Sequence, residues 1–204
     1  MNDILEGYQT AGSGLIAPYA SLSSAEIYHD MIDLFPRDAV RATDIGAGTG
    51  RDAAWLASLG HQAVAIEPVA ALREAGRALH RTERVEWIED HLPELARVDG
   101  RFELILLCAV WQHLDDQERS LATMTLAQIT EVGGLVIMSL RHGPGADGRR
   151  CIPVDVAVTL AEAEAAGFDL VRRIEAESVQ QGNRDRGVTW TWLALRRRKV
   201  RVRQ

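Results

Sequence analysis

Short apolar stretches alternate with longer amphipathic stretches from residue 40 onward. Each apolar stretch has the length of a β-strand, and each amphipathic stretch repeats its apolar residues at the spacing of a helix. The segment from Phe102 to Ala109 is the most apolar, as is typical of a central parallel strand that is buried on both faces. In chain order, the pattern predicts strands at residues 40–45, 63–66, 85–88, 102–109 and 135–140.

Helices are predicted between these strands. Alternating strands and helices favour a parallel sheet with helices on both faces, because right-handed crossovers return each strand to the same direction. A further helix from Ser23 to Leu34 precedes the first strand, and Pro36 ends it. The other predicted helices run from the glycine-rich turn to Gly60, from Val69 to Arg81, from Asp115 to the Gly133–Gly134 pair, and from Asp155 to Ala166.

The last two predicted strands, 168–174 and 188–195, are joined by a polar connector without a helical pattern. A connection without a crossover helix favours antiparallel pairing, so this end of the sheet is predicted to be a hairpin. In open α/β sheets, ligands bind outside the carboxyl ends of the strands. The loops that leave those ends are therefore the places to look for a functional site.

The composition is that of a globular protein. The 204 residues are 47% hydrophobic and 25% charged, which suits one domain with a buried core. The net charge of −6 counts against a nucleic-acid surface, which is normally basic. The longest apolar run, Leu104 to Trp111, is far too short to cross a bilayer. Cys108 and Cys151 lack zinc-site spacing and no export signal is apparent, so we expect a cytoplasmic protein with reduced thiols and no metal.

Three glycines at alternate positions, Gly46, Gly48 and Gly50, follow the first predicted strand and open a helix. Glycine lets the backbone turn tightly and come close to a ligand, and a helix N-terminus favours a negatively charged group. Dinucleotide-binding folds use G-x-G-x-x-G, whereas the spacing here is G-x-G-x-G and Arg51 occupies the sixth position. Asp44, two residues before the first glycine, would repel a pyrophosphate but attract an ammonium group.

The segment from Val40 to Ala54 resembles the first motif of the class I methyltransferases that depend on S-adenosylmethionine (SAM). The resemblance extends to about Arg196 and leaves the first 39 residues outside it. It implies SAM as cofactor and S-adenosylhomocysteine (SAH) as product. It also implies an α/β fold with a doubly wound, seven-stranded, mostly parallel sheet, helices on both faces and an antiparallel last strand. The expected parts are an arm and helix that form a lid at 1–38, a SAM-binding domain at 39–198 and a basic tail at 199–204.

The resemblance also implies which residues contact the cofactor. The acid at the tip of the second strand, here Glu67, accepts the ribose hydroxyls in that family. An acid at the tip of the third strand hydrogen-bonds the adenine amino group, and Asp90 holds that place here with Glu89 as the alternative. The expected cofactor-binding residues are Asp44, Gly46, Ala47, Gly48, Arg51, Glu67, Pro68, Asp90, His91 and Ala109.

Two histidines are candidates for a general base. His113 follows the fourth strand and His142 follows the fifth, so both are expected near the methyl group at the carboxyl edge. An imidazole titrates near neutral pH and suits proton removal from an acceptor. His113 could instead simply pack near a helix start, and methyl transfer could proceed by positioning alone.

Three segments are expected to meet above the methyl group: the arm before residue 21, the loop 142–153 and the connector 180–186. Aromatic faces and guanidinium groups together suit a flat acceptor that bears a carboxylate, a phosphate or an electron-rich oxygen. The glycines of these three segments suit a lid that becomes ordered over the substrate. The expected substrate-binding residues are Tyr8, Tyr19, Trp111, Arg141, Arg149 and Arg184.

These observations predict a cytoplasmic methyltransferase that acts on an oxygen or nitrogen of a small molecule, as a monomer or homodimer without a membrane partner. An RNA or protein methyltransferase is the first alternative, although the negative charge and the lack of an added binding domain count against it. A protein that binds SAM without transferring methyl is the second. A nicotinamide dehydrogenase is disfavoured by Asp44 and Arg51.

Overall fold

The computed structural model describes residue 14 and residues 22–81, 84–145 and 151–199. Tyr8, Tyr19 and Arg149, which were expected to contact the substrate, lie outside these residues, as does most of the basic tail. The helices are α1 (Ser24–Ile27), α2 (Arg51–Ser58), α3 (Ala70–Leu79), α4 (Asp116–Ile129), α5 (Val156–Ala165) and α6 (Gln181–Arg184). The strands are β1 (Arg41–Ile45), β2 (Gln62–Ile66), β3 (Val85–Ile88), β4 (Phe102–Leu107), β5 (Thr130–His142), β6 (Phe168–Glu177) and β7 (Thr189–Arg197).

The strands form one seven-stranded sheet in the order β3-β2-β1-β4-β5-β7-β6. Strands β1 to β5 pair in parallel, and β7 runs antiparallel to both of its neighbours, β5 and β6. The predicted fold, including the terminal hairpin and the antiparallel last strand, is therefore confirmed. The strand order changes direction between β1 and β4, so the loops after these two strands diverge and leave a crevice at the carboxyl edge.

Each face of the sheet buries a separate hydrophobic core. Helices α4 and α5 cover one face, where Leu126 and Ala163 pack against the strands. Helix α2 and residues 24–35 cover the other face, where Tyr28, Met31 and Leu56 are buried. Residues 24–35 therefore form part of the core on that face.

The helix predicted from Ser23 to Leu34 is interrupted. Helix α1 ends at Ile27, and a separate 3-10 helix spans Ile32–Leu34. The interruption follows from packing, because Tyr28 is 0% exposed and its ring meets Trp55 and Trp192 at centroid distances of 5.6 and 5.2 Å. The aromatic cluster on this face of the sheet thus overrides the helical pattern of the sequence.

The Gly133–Gly134 pair lies inside a strand and does not end a helix as predicted. Helix α4 stops at Ile129, and β5 begins at the next residue. The register between β4 and β5 shifts at this point. Gly133 has a φ of +85°, and a Cβ on Gly134 would lie 2.8 Å from the carbonyl oxygen of Glu131. The glycines therefore allow an irregularity at the start of β5, as glycines in strands often do.

Within the described ranges, the longest helices lack the length and apolar composition needed to span a membrane.

Candidate active site

A cavity of about 590 Å³ opens at the carboxyl edge of the sheet. It runs from the turn between β1 and α2, past the end of β4, to the sheet face formed by β5, β7 and β6. Residues of α1 line another part of its wall. The volume lies within the range of about 300–1,000 Å³ that is usual for small-molecule sites. The cavity also lies at the point where the strand order reverses, which is where open α/β sheets bind their ligands.

The glycine turn shapes one end of the cavity. Gly46 and Gly50 have φ values of +74° and +75°, in the left-handed region where a side chain would be strained. A Cβ on Gly46 would also lie 2.5 Å from Cγ2 of Val110. The N–H groups of Gly46 and Ala47 both donate to the carbonyl oxygen of Ile66. These donors therefore hold the turn against β2.

The carboxylate of Glu67 joins this turn to the tip of β2. Its Oε2 accepts the backbone N–H of Gly48 at 2.8 Å, and its Oε1 accepts that of Val69 at 2.8 Å. Glu67 is 5% exposed. Burial raises its pKa to about 7, although the two N–H donors and Arg73 act in the opposite direction. Arg73 also donates to the carbonyl oxygens of Glu67 and Pro68 and so fixes the loop in place.

Two more buried carboxylates lie beside the turn. Burial raises the pKa of Asp44 well above its ordinary value, and the charge of Asp52 adds to this effect while Arg51 opposes it. Arg51 forms a two-pronged ion pair with Asp52, with both N–O distances 2.7 Å. The same carboxylate accepts the hydroxyls of Ser24 and Tyr28, which ties α1 to the site. With one guanidinium between two carboxylates, this end of the cavity favours a cationic ligand group.

The end of β4 forms the middle of the cavity wall. Ala109 has a φ of +59°, and its N–H donates to Oγ of Ser139 at 2.8 Å. Gln112 donates to the carbonyl oxygen of Ala109, while its Oε1 is buried and has no hydrogen-bond partner among the described residues. His113 is 8% exposed and lines the cavity beside it. The structure therefore brings one of the two candidate bases to the cavity.

Two tryptophans of β7 line the far end. Trp190 is half-buried and Trp192 is 9% exposed. Trp190 lies opposite Arg141 of β5, whose guanidinium carbon is 5.4 Å from the indole centroid. Neither tryptophan was among the site residues expected from the sequence. Their i, i+2 spacing in a predicted strand was the available signal, because such residues share one face of a sheet.

The structure corrects the expectation for His142. Its Nε2 is 2.7 Å from Oγ1 of Thr191, whose hydroxyl donates to Glu175. Consecutive side chains of a strand point to opposite faces, so Arg141 faces the cavity and His142 faces away from it. The imidazole therefore does not reach the site that it was expected to serve.

Trp111 and Arg184 also lie away from the cavity wall. Trp111 is 1% exposed and packs in the core beneath α4 and α5, because the 3-10 helix Trp111–His113 turns it inward. Arg184 donates to the carbonyl oxygens of Ser178 and Val179 and so holds its own connector. Both residues stabilise the structure around the site and do not face a substrate, which corrects their expected roles.

The acids at the tip of β3 are likewise absent from the wall. The carboxylate of Asp90 accepts the backbone N–H groups of His91 and Arg97 at 2.8 and 2.6 Å. The alternative, Glu89, pairs with Arg73 at 2.7 Å. His91 itself lines the cavity. Asp90 therefore lies outside the described wall of the cavity where its contact with adenine was expected. Other expected cofactor residues that line the cavity are Asp44, Gly46, Ala47, Gly48, Arg51, Glu67, Pro68 and Ala109.

No group of three or more His, Cys, Asp or Glu side chains in the described ranges is arranged to hold a metal ion. Cys108 and Cys151 are free thiols that both line the cavity. Burial raises the pKa of Cys108 to about 12, which keeps it protonated at neutral pH.

Comparisons with known proteins agree with this geometry. Residues 43–138 match the model of a family described as a methyltransferase domain. A search of curated proteins found no match. Among solved structures, the 1,6-didemethyltoxoflavin-N1-methyltransferase of Burkholderia thailandensis contains bound 1,6-didemethyltoxoflavin and SAH. It is 17% identical, with a TM-score of 0.74, and the match covers 97% of this chain and 88% of that one.

Two further structures have the same fold. Magnesium protoporphyrin IX methyltransferase from Synechocystis PCC 6803, with bound SAM, is 16% identical with a TM-score of 0.63 over 96% of this chain and 82% of that one. A TehB-like SAM-dependent methyltransferase from Corynebacterium glutamicum is 18% identical with a TM-score of 0.65. That match covers 89% of this chain and 92% of the other. Residues 43–138 are thus similar to a methyltransferase domain, and the chain has the fold of the SAM-dependent class I methyltransferases.

Proposed function

We propose that this protein transfers the methyl group of SAM to an oxygen or nitrogen of a small-molecule acceptor. The observation that carries the proposal is a single cavity with two chemically different ends. Asp44, Gly46 and Glu67 line one end, and Trp190 and Trp192 line the other. The first end suits a charged nucleoside and the second suits an organic ring, so one cavity can hold both reactants side by side.

The residues at the first end fit SAM in shape and charge. Gly46 leaves space that a Cβ would fill, and the buried carboxylate of Asp44 is stabilised by an ammonium group placed beside it. Glu67 retains lone pairs beyond its two backbone hydrogen bonds, and these can accept ribose hydroxyls. When bound, SAM supplies an activated methyl group. Leu72 and Leu92 line the same end and offer an apolar surface to adenine.

The protein itself contributes alignment of the two reactants and a general base. The cavity walls align the acceptor with the cofactor end. His113 is the residue that we propose as general base, because it lies on the wall between the two ends and an imidazole can hold the proton that a hydroxyl or amine loses. An acceptor that is already deprotonated, or that is strongly nucleophilic, would need alignment by the cavity walls but no general base.

The neighbours support a small acceptor. The Burkholderia thailandensis enzyme holds 1,6-didemethyltoxoflavin, and the Synechocystis enzyme is named for magnesium protoporphyrin IX. A cavity of about 590 Å³ lined by indoles suits such molecules better than a nucleic acid or a protein chain, although RNA and protein methyltransferases stay as alternatives. A cytoplasmic location and a monomeric or homodimeric state stay predictions. The lid expected at residues 1–38 also stays a prediction, except for residues 24–35, which pack in the core.

Calorimetric titration with SAM, SAH and NAD tests the cofactor assignment, and SAH production during a screen of small-molecule acceptors tests the transfer. We expect SAM and SAH to bind, NAD not to bind, and SAH to form with a small acceptor. Methyl transfer to RNA or protein substrates alone would support the first alternative. SAM binding without transfer to any of the three acceptor classes would support a binding protein.

A further inference from the structure

The cavity wall after β4 contains a side-chain amide in direct contact with the proposed base. We propose that Gln112 is a positioning residue that fixes His113 as the neutral imidazole with its proton on Nδ1, so that Nε2 is the nitrogen that takes the proton of the acceptor. This inference rests on the proposed function and specifies how its base is prepared. It is carried by the hydrogen bonds that orient the amide of Gln112.

The anchor of this arrangement is Ala109, at the end of β4. Its φ of +59° is rare for a residue with a side chain, and its N–H donates to Oγ of Ser139 at 2.8 Å. Ser139 lies in β5 and is 0% exposed. The buried hydroxyl thus holds the backbone at Ala109 from the neighbouring strand. The carbonyl oxygen of Ala109 in turn accepts Nε2 of Gln112 at 2.6 Å.

This bond decides which end of the amide faces His113. Nε2 of Gln112 is also 3.3 Å from Nε2 of His113. The reverse orientation of the amide would place its oxygen 2.6 Å from the carbonyl oxygen of Ala109, and two acceptors repel each other. It would also move the NH2 group to the buried position where Oε1 has no partner among the described residues, and two donors would then be unsatisfied instead of one acceptor. The amide therefore presents an N–H group to the imidazole.

The N–H donor of Gln112 determines where the ring of His113 carries its proton. A ring nitrogen that faces a donor must offer its lone pair, and the proton of the neutral imidazole then lies on the other nitrogen, Nδ1. Protonation of Nε2 would set two N–H groups against each other at 3.3 Å. Gln112 and His113 are 3% and 8% exposed, so water competes weakly with this contact. The amide therefore favours the neutral ring.

The backbone keeps the two side chains together. Both residues lie in the 3-10 helix Trp111–His113. The N–H of His113 donates to the carbonyl oxygen of Val110 at 2.9 Å, and the carbonyl oxygen of Gln112 accepts the N–H of Ile152 at 2.8 Å. The chain that leads into α5 thus braces the short helix, and both side chains line the cavity.

The neutral ring with a lone pair on Nε2 is the state that a general base needs. When the acceptor loses its proton to Nε2, the ring becomes an imidazolium that carries one proton on each nitrogen. The hydroxyl or N–H group of the acceptor takes the place of the Gln112 donor at Nε2 before this transfer. Afterwards the amide N–H repels the protonated Nε2 and favours release of the proton to water. An acceptor with a proton to lose is therefore favoured over one without, such as a tertiary amine.

The experiment observes the tautomer directly and needs no acceptor. Long-range ¹H–¹⁵N NMR spectra are recorded on the ¹⁵N-labelled full-length protein with SAH, at about pH 8.5, where histidine is ordinarily neutral. The ring signals of His113 are identified by their loss in His113→Gln. We expect Nε2 to have the chemical shift of an unprotonated ring nitrogen and Nδ1 that of a protonated one. Gln112→Met removes the donor with little change in volume and should shift the tautomer ratio towards Nε2–H by about fivefold.

Gln128→Met makes the same change at an exposed site of α4 and should leave the ratio as it is in the parent protein. Calorimetry should show unchanged SAH affinity in Gln112→Met, and if that variant does not fold, the tautomer of the parent protein alone decides. An Nε2–H tautomer in the parent protein would overturn the inference, and so would an unchanged ratio in folded Gln112→Met. Either result with normal SAH binding would leave the proposed function standing. Failure of the parent protein to bind SAH would instead count against the proposed function.

Discussion

Glu67 and Gly48 are joined by a hydrogen bond of 2.8 Å from the backbone N–H of the glycine turn to Oε2 of the carboxylate. This bond ties the tip of β2 to the turn that follows β1. A carboxylate is thus buried at the cofactor end before any ligand hydroxyl reaches it, and its pKa rises to about 7. The carboxylate of Glu67 is thus placed to accept hydroxyl groups of a ligand, and its burial in the ionised form lowers the stability of the ligand-free protein.

Because the ionised carboxylate of Glu67 is destabilised by burial, we expect the free energy of unfolding to depend on pH. Burial raises the pKa of Glu67 from its ordinary 4.5 to about 7, so the folded state binds more protons than the unfolded state between these pH values. The free energy of unfolding of the SAM-free protein should therefore fall as pH rises through this window, by about 3 kcal/mol from this group. Glu67→Gln should remove this share of the slope in denaturant titrations between pH 5 and 8. Glu74→Gln, at an exposed site of α3, should leave the slope unchanged.

Asp44→Asn should weaken the binding of SAH. The substitution keeps the shape of the side chain but removes the charge proposed to pair with an ammonium, a loss of about 1.5–3 kcal/mol or roughly 10- to 150-fold in affinity. The fold should stay intact, because the buried charge is itself unfavourable, as the raised pKa of Asp44 indicates. Calorimetry gives the affinity, and Asp38→Asn, at an exposed position before β1, is the control. Parental affinity in Asp44→Asn would remove Asp44 from the cofactor site.

Gly46→Ala should destabilise the turn more than Gly60→Ala does. Both residues have positive φ, which costs alanine about 1–2 kcal/mol, but a Cβ at position 60 meets nothing within 4 Å. At position 46 it would lie 2.5 Å from Cγ2 of Val110, which lines the cavity. Thermal unfolding and SAH titration measure the difference. The double variant Gly46→Ala/Val110→Ala should recover part of the loss, and equal losses in the two single variants would show that only backbone strain matters.

His113→Ala should lower the turnover number by about 10²- to 10⁴-fold if the acceptor must lose its proton during transfer. His142→Ala should retain most activity, because that imidazole faces away from the cavity and bonds Thr191. Turnover at saturating substrate, measured across pH, compares the two variants. The fall of the rate towards acid pH that a general base imposes should survive in His142→Ala and disappear in His113→Ala. A loss of less than tenfold in His113→Ala would leave alignment as the whole mechanism.

The sequence by itself determined the order of strands and helices, the glycine turn, and the acids at the tips of β1 and β2. These features are local: apolar periodicity sets the element type, and the spacing of Asp44, Gly46 and Gly48 is read along a few residues of chain. The consistent alternation of strand and helix then limited the topology. Glu67 could be placed at the carboxyl edge because it directly follows a predicted strand.

Only the tertiary structure decided which side chains meet. His113 and His142 both follow strands in the sequence, yet a side chain's face depends on the register of its strand within the sheet, and that register sends His142 away from the cavity. Asp52 is a charged residue near a helix start, where acids are normally solvated. It is 2% exposed here because Ser24, Tyr28 and Arg51 satisfy its oxygens. The hydrogen bonds from Ser24 and Tyr28 join residues distant in the chain, and no periodicity along the sequence encodes them.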